Sequence, residues 1–211
     1  MKNKSVLITG ILALAFFVFS GCRKEAVSNL SDADTRIYIT QYDSTVGFST
    51  YKTFSIDDSL TVLNNGVASR SLTTTGQAFI NAVIKYMQQG GYTQVSKDAG
   101  PDLGINLTYI NTTSTGLIDY SSYWGYYGGY YDPLYWGYGG YGYYSPYSYG
   151  VYQVNSGALS VDLLDLKNAV AKGKINIIWN GLIRGEGIAN ANTADNQVSA
   201  LFSQSAYLKT N

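Results

Sequence analysis

Leu103, Ile105, Leu107 and Tyr109 place an apolar side chain at every second position, with Gly104, Asn106 and Thr108 between them. The same period returns in Leu159, Val161 and Leu163, and Ile175, Ile177 and Trp179 open a further run that reaches Gly187. Successive strand residues point to opposite faces, so these runs commit much of the chain to a half-buried sheet, with Asn106 and Thr108 facing away from the core. The last two runs read as a hairpin through the loop Asp165 to Lys174. Because the chain contains a single cysteine, no disulfide can form within it, and burial alone must hold the sheet together.

The cover for such a sheet is written in a different period. Phe79, Ile80, Val83, Ile84 and Met87 recur at helical spacing behind Thr74-Thr75-Gly76-Gln77, which resembles a capping box, and Gly90-Gly91 ends the helix. A second helix follows from Val198, Leu201, Phe202 and Ser205, with Asn192, Thr193 and Asp195 as candidate caps. Ile37 and Ile39, then Val46, Phe48, Tyr51, Phe54 and Ile56 around Gly47, suggest two more strands, and Tyr92 to Val95 a short one. Asp57 to Ser71 reads as a polar loop turning at Asn64-Asn65-Gly66. The expected fold is α+β: an antiparallel sheet of about five or six strands with two helices packed on one face, forming one domain over residues 36–211.

Ahead of that domain, Lys2 and Lys4 precede the apolar run Val6 to Phe19, and Phe19-Ser20-Gly21-Cys22 fits the bacterial lipobox. A helix over that run spans about 21 Å, short of the roughly 30 Å of a bilayer's hydrocarbon. Residues 1–21 are therefore expected to be a lipoprotein signal peptide, with Cys22 as the lipid attachment site. Three acyl chains on one cysteine would anchor the protein durably. Residues 22–35 (CRKEAVSNLSDADT) are polar and without periodicity, as a tether would be. Arg23 stands where inner-membrane lipoproteins carry aspartate, and Lys24-Glu25 resembles charged surface-export signals. The expected address is the outer membrane.

Residues 113–156 form a Tyr/Gly-rich insertion. Tyr120 to Tyr152 alone holds fourteen of the twenty-one tyrosines and eight glycines, including the approximate duplication YWGYYGGYYDP at 123–133 and YWGYGGYGYYSP at 135–146. Tyrosine offers a flat apolar ring with a polar tip, so this segment either folds over the domain or presents rings to a sugar or a partner protein. Tyr123, Trp124, Tyr135 and Trp136 are the candidate contacts. The segment has no lysine or arginine, and the mature chain carries twelve basic side chains against fourteen acidic ones, a formal net charge near minus two. Nucleic acid, which needs a positive footprint, is not an expected partner.

The chain has no histidine, which removes Ser-His-Asp and Cys-His nucleophiles and histidine zinc sites. Ser49-Thr50-Tyr51-Lys52 matches a Ser-x-x-Lys pattern, but that chemistry needs a helix start and the surroundings here have a strand's period. Asp162 and Asp165 fall on opposite faces of one strand, so a carboxylate pair requires Asp102 or Asp119 to approach Asp162 through the fold. Asp32, Asp34, Asp98 and Asp102 lack the ligand alternation of a calcium loop. No cofactor fingerprint is present.

Phe48-Ser49-Thr50-Tyr51-Lys52-Thr53-Phe54, Gly90-Gly91-Tyr92, Pro101-Asp102-Leu103, Leu159-Ser160-Val161-Asp162-Leu163-Leu164-Asp165 and Trp179-Asn180-Gly181 occur in that order. Together with the lipobox and the Tyr/Gly segment, they resemble the envelope lipoproteins of domain of unknown function 4136, over about Tyr38 to Leu208. The resemblance implies an envelope lipoprotein domain and supplies neither an activity nor site residues. The expected role is a non-catalytic scaffold or binding domain, anchored to the membrane through Cys22 and meeting an envelope protein or a glycan. The alternative is a histidine-free carboxylate hydrolase acting on cell-wall glycans.

Overall fold

The computed structural model describes residues 30–64, 67–111, 118–119, 133–145, 150–151 and 157–211. The chain divides into two units, Met1–Thr35 and Arg36–Asn211. In the first, Asp32–Thr35 forms one turn of 3-10 helix, opened by Ser31, whose backbone N–H and hydroxyl both donate to Asp34 Oδ2. Cys22 and the signal segment lie outside the described residues.

The second unit is built on three long neighbouring strands. β6 (Leu103–Asn111), β10 (Ala158–Asp165) and β11 (Lys174–Arg184) pair antiparallel, with Asp162 opposite both Asn106 and Asn180. The expected hairpin between the last two is present, and its loop holds a four-residue helix, α2 (Ala169–Lys172). Shorter strands share the two flanks of this trio. β1 (Ile37–Tyr42) runs antiparallel to the far half of β11, while β8 (Gly142–Tyr144) runs parallel to its near end. On the other flank β2 (Thr53–Ile56) and β3 (Leu60–Asn64) lie parallel to successive halves of β6. β4 (Val67–Ser71) pairs with β3, and β5 (Thr93–Gln94) with β2. β7 (Ile118–Asp119) and β9 (Gly150–Val151) form a separate two-stranded ribbon.

Among the described residues the sheet therefore has nine strands and is mixed, where about five or six antiparallel strands are expected from the sequence. Helix α1 (Thr74–Gln89) accounts for part of the difference. It carries the chain from the β2–β4 region back to the starting end, so β5 and then β6 set off in the direction of β2, as a helical crossover requires. The rest comes from two places read as loop. Residues 57–71 contain the β3–β4 hairpin, with Asn64 opposite Val67 across the two-residue Asn65-Gly66 connection. The Tyr/Gly segment supplies β8. Conversely, Phe48–Thr50 is a 3-10 turn rather than strand.

α1 and α3 (Ala194–Ser203) lie on one face of the sheet and hold each other through Lys85 and Asp195, 2.7 Å apart, and through Tyr86 stacked on Phe202. The cap of α1 is Thr73, whose Oγ1 accepts from the Gly76 N–H at 3.0 Å. Gln77, expected to complete a capping box, donates instead to Asn81. Leu103, Ile105, Leu107, Leu159, Val161, Leu163 and Trp179 meet these helices in the main core.

The opposite face is not the solvated one that period-two reading implies. Every residue of β10 is buried, and Ile110, Trp136, Leu164, Ile175, Ile177 and Leu182 form a second core there. A β-bulge, where Leu163 faces Trp179 but Leu164 faces Ile177, reverses the phase of β11. Ile175 and Ile177 enter the second core, while Trp179 enters the first.

Candidate functional site

Where the β3–β4 hairpin passes the start of α1, the main core is open. A cavity of about 280 Å³ remains between Leu60 and Val62 of β3, Ser71 of β4, Thr73, Thr75, Gly76 and Phe79 at the start of α1, Tyr109 of β6, Leu159 of β10, and Ile188-Ala189 after β11. Its walls are aliphatic and aromatic, and Ser71, Thr73 and Thr75 add hydroxyls. Among the described residues no lysine, arginine or carboxylate lines it. Gly76 keeps the helix close, since a Cβ there would sit 3.1 Å from Leu60 Cδ1. Tyr109 is half-buried, and burial raises its phenol above the usual tyrosine range. This size, with apolar walls and a few polar groups, suits a small ligand.

The titratable side chains gather elsewhere. Asp162 is fully buried on the second face, where its Oδ1 accepts from Asn180 Nδ2 at 2.5 Å and its Oδ2 from the Ser160 hydroxyl at 3.1 Å. Thr108, fully buried opposite Ser160, has no partner for Oγ1 among the described residues. Burial of the charge dominates, raising the Asp162 carboxyl from 3.8 to about 7, while the two hydrogen bonds oppose the rise.

The folded protein thus holds the Asp162 proton more tightly than the unfolded chain does. The resulting stability is whole below about pH 4 and is lost as pH climbs through about 7, in all on the order of 4 kcal/mol. Asp162→Asn should remove that loss. In urea titrations at pH 4.5 and pH 8 the wild type should lose more stability across the interval than the variant, by roughly 3 kcal/mol. Equal losses would show that Asp162 does not titrate in this range.

Asp165, also fully buried, lies toward the helical face. It accepts from Asn168 N and Nδ2 and from Lys172 Nζ at 2.9 Å. Burial and the Asp165 charge together push the Tyr51 phenol far up. Asp102 instead accepts from the Lys52 and Thr53 N–H groups and faces Lys167. The strand keeps Asp162 and Asp165 apart, and Asp102 does not hydrogen-bond with Asp162; the Asp119 side chain lies outside the described residues. Asp57 and Asp58 converge on the Arg70 guanidinium, as an ion-paired cluster. Lys52 does not turn back on Ser49: its ammonium donates to the Thr210 carbonyl at 3.0 Å. Among the described residues no three His, Cys, Asp or Glu side chains gather as metal ligands, and no helix is long and apolar enough to cross a membrane.

Of the four aromatic candidates, Tyr123 and Trp124 lie outside the described residues. Trp136 is a core residue, 7% exposed, on a 3-10 turn (Pro133–Trp136), and a Cβ at Gly104 would come within 3.1 Å of its ring and of Leu166. Tyr135 is half-buried, edge-on to Trp136, with the Arg70 guanidinium 4.9 Å above its ring. Tyr138 donates to the Leu166 carbonyl at 3.0 Å. Tyr135, Trp136, Tyr138 and Tyr143 of the Tyr/Gly segment therefore pack as structure on the second face.

A family profile for DUF4136, a domain of unknown function, matches residues 39–205. The chain belongs to the DUF4136 family. A crystal structure of a DUF4136 family protein from Bacteroides thetaiotaomicron is similar to it, with a TM-score of 0.71 and 26% identity over 84% of this chain and 100% of that one. A PDZ domain protein from Parabacteroides distasonis aligns at 13% identity over 83% of this chain and 37% of its own, with a TM-score of 0.40 too low to bear on the fold. No curated protein matches the chain. Family membership agrees with the resemblance read from the sequence motifs and assigns no activity, so the cavity and the buried polar centres rest on geometry alone. The cavity had no signal in the sequence, because its walls come from five separated stretches. The buried centre did have one: Asp162, Asn180 and Ser160 are polar residues inside the longest apolar runs.

Proposed function

We propose that this DUF4136 protein is a lipid-anchored envelope lipoprotein, held at the outer membrane through Cys22, whose domain binds a ligand without transforming it. The cavity beside α1 carries the reading. It is large enough for a ligand, and none of the described residues lining it can act as nucleophile, general acid or base at ordinary pH apart from hydroxyls without a charged partner. The fully buried carboxylates support it too, because their hydrogen bonds tie strands and a helix cap together. Tyr123 and Trp124 remain the proposed contacts for an envelope protein or a glycan.

The lipobox supports the anchor. Cells expressing the full chain and fed a clickable palmitate analogue should label the wild type in the membrane fraction. Cys22→Ala should lose the label and move to the soluble fraction. A wild-type product that takes no label, or begins beyond Cys22 by mass spectrometry, would overturn the anchored reading.

A further inference from the structure

The cavity's lining and surroundings constrain its ligand further, on the reading that this is an envelope binding domain. We propose that the cavity takes the hydrocarbon chain of a separate lipid molecule, with the lipid's head left outside at the rim.

The absence of charge comes first. Leu60, Val62, Phe79, Leu159 and Ile188 make the walls, and a ligand portion carrying a charge would lose its hydration there and meet no counter-ion. Size comes next: about 280 Å³ accommodates on the order of ten water-sized groups, and a methylene is of similar bulk. That is a substantial length of acyl or alkyl chain, and each buried CH₂ contributes about 0.8 kcal/mol in favour of binding.

The mouth supplies the independent observation. Val67, Ser69 and Ser71 alternate onto one face of β4, and Ser71 of this set lines the cavity. Val67 is 69% exposed, and Leu72, between two lining residues, is 57% exposed. Val67 and Leu72 thus leave apolar surface in water on the strand that borders the cavity and on the link that follows it, and such surface favours contact with a bilayer. Among the described residues β4 is an outer strand, hydrogen-bonded only to β3, and no further described strand of the sheet covers this approach.

The test uses the full chain in intact cells and a defined probe, a neutral fatty alcohol carrying a diazirine and an alkyne. After irradiation, cross-linked peptides are mapped by mass spectrometry. Labelling should concentrate on the stretches around 60–62, 75–79, 159 and 188–189. Ala189→Trp, which plugs the mouth from an exposed position, and Val62→Lys, which puts a charge in a half-buried wall, should each reduce it about tenfold. Two substitutions at accessible positions guard against a folding defect, which limited proteolysis would reveal. Val170→Lys, at a 70% exposed apolar residue on α2, should leave labelling unchanged. Label spread over exposed apolar residues such as Leu134 and Val170, or wall label that survives both plugs, would overturn the proposal.

Cys22→Ala separates the sources. Wall labelling that persists in this variant shows the chain is taken from a separate lipid. Its disappearance would assign the cavity to the protein's own anchor and defeat the proposal. If Cys22→Ala instead stays on the membrane, the anchor reading fails whatever the cavity does.

Discussion

Asp165→Ala is expected to destabilise the domain by about 3–5 kcal/mol, the range for removing one partner of a buried ion pair. The carboxylate is fully buried at the end of β10 and organises the turn that follows. One oxygen accepts from Asn168 N at 3.1 Å, the Asn168 amide reaches both oxygens, and Lys172 closes the pair from the far end of α2. α2 is only four residues long and could not form by itself, so the carboxylate substitutes for the helical length that is missing. Removal would strand three donors and release the connection on which β11 depends. Lys172→Met should cost less, roughly 1–3 kcal/mol, because the lysine is 38% exposed and the carboxylate would keep its N–H donors. Urea unfolding of the three proteins checks the order. A Lys172→Met loss equal to that of Asp165→Ala would mean that the ion pair, rather than the donor set, is what matters.

How far the sequence foretold this molecule depends on which physical signal each element used. β6, β10 and β11 were legible because little besides a strand places apolar side chains at every second position, as at 103–109, 159–163 and 175–179, and the two long helices because their apolar stripes and end signals agree. Strand direction was not legible. Residues 53–56 and 103–105 look alike whether parallel or antiparallel, and only the path of α1 decides between them. The β3–β4 hairpin escaped because Ser, Thr, Asn and Arg dilute its alternation, although Asn65-Gly66 is a hairpin turn sequence. Asn106, Thr108 and Asp162 resembled a solvated face, since polar residues at every second position ordinarily mean water. Here that face carries a second core with a polar centre inside it. The aromatic segment was ambiguous for a related reason: a ring that binds a partner and a ring that packs at home share the same composition. Trp136 turned out to be the second kind.

An effect as large as that of Asp165→Ala should come from Trp179→Ala, at about 3–5 kcal/mol. Trp179 is fully buried on the helical side of β11, and its indole N–H donates to Ser205 Oγ at 3.0 Å, just beyond the end of α3. The ring also meets Phe202 at 5.7 Å between centroids. It therefore fastens the last helix to the sheet by volume and by one directed bond. Trp179→Phe separates the two contributions: it keeps much of the ring, loses the donor to a buried hydroxyl, and should cost roughly 1–3 kcal/mol. Gly181, two residues on and on the same face, makes room for so large a ring. A Cβ there would lie 2.5 Å from Trp179 Cη2 and 2.9 Å from Leu201 Cδ1. Gly181→Ala must therefore displace the indole or lift α3, and should lower stability by about 1–3 kcal/mol. Trp179→Ala makes the space that Gly181→Ala lacks, so the double variant should be less destabilised than the sum of the single ones. Simple additivity in denaturant unfolding would show that Gly181 is not reserved for the indole.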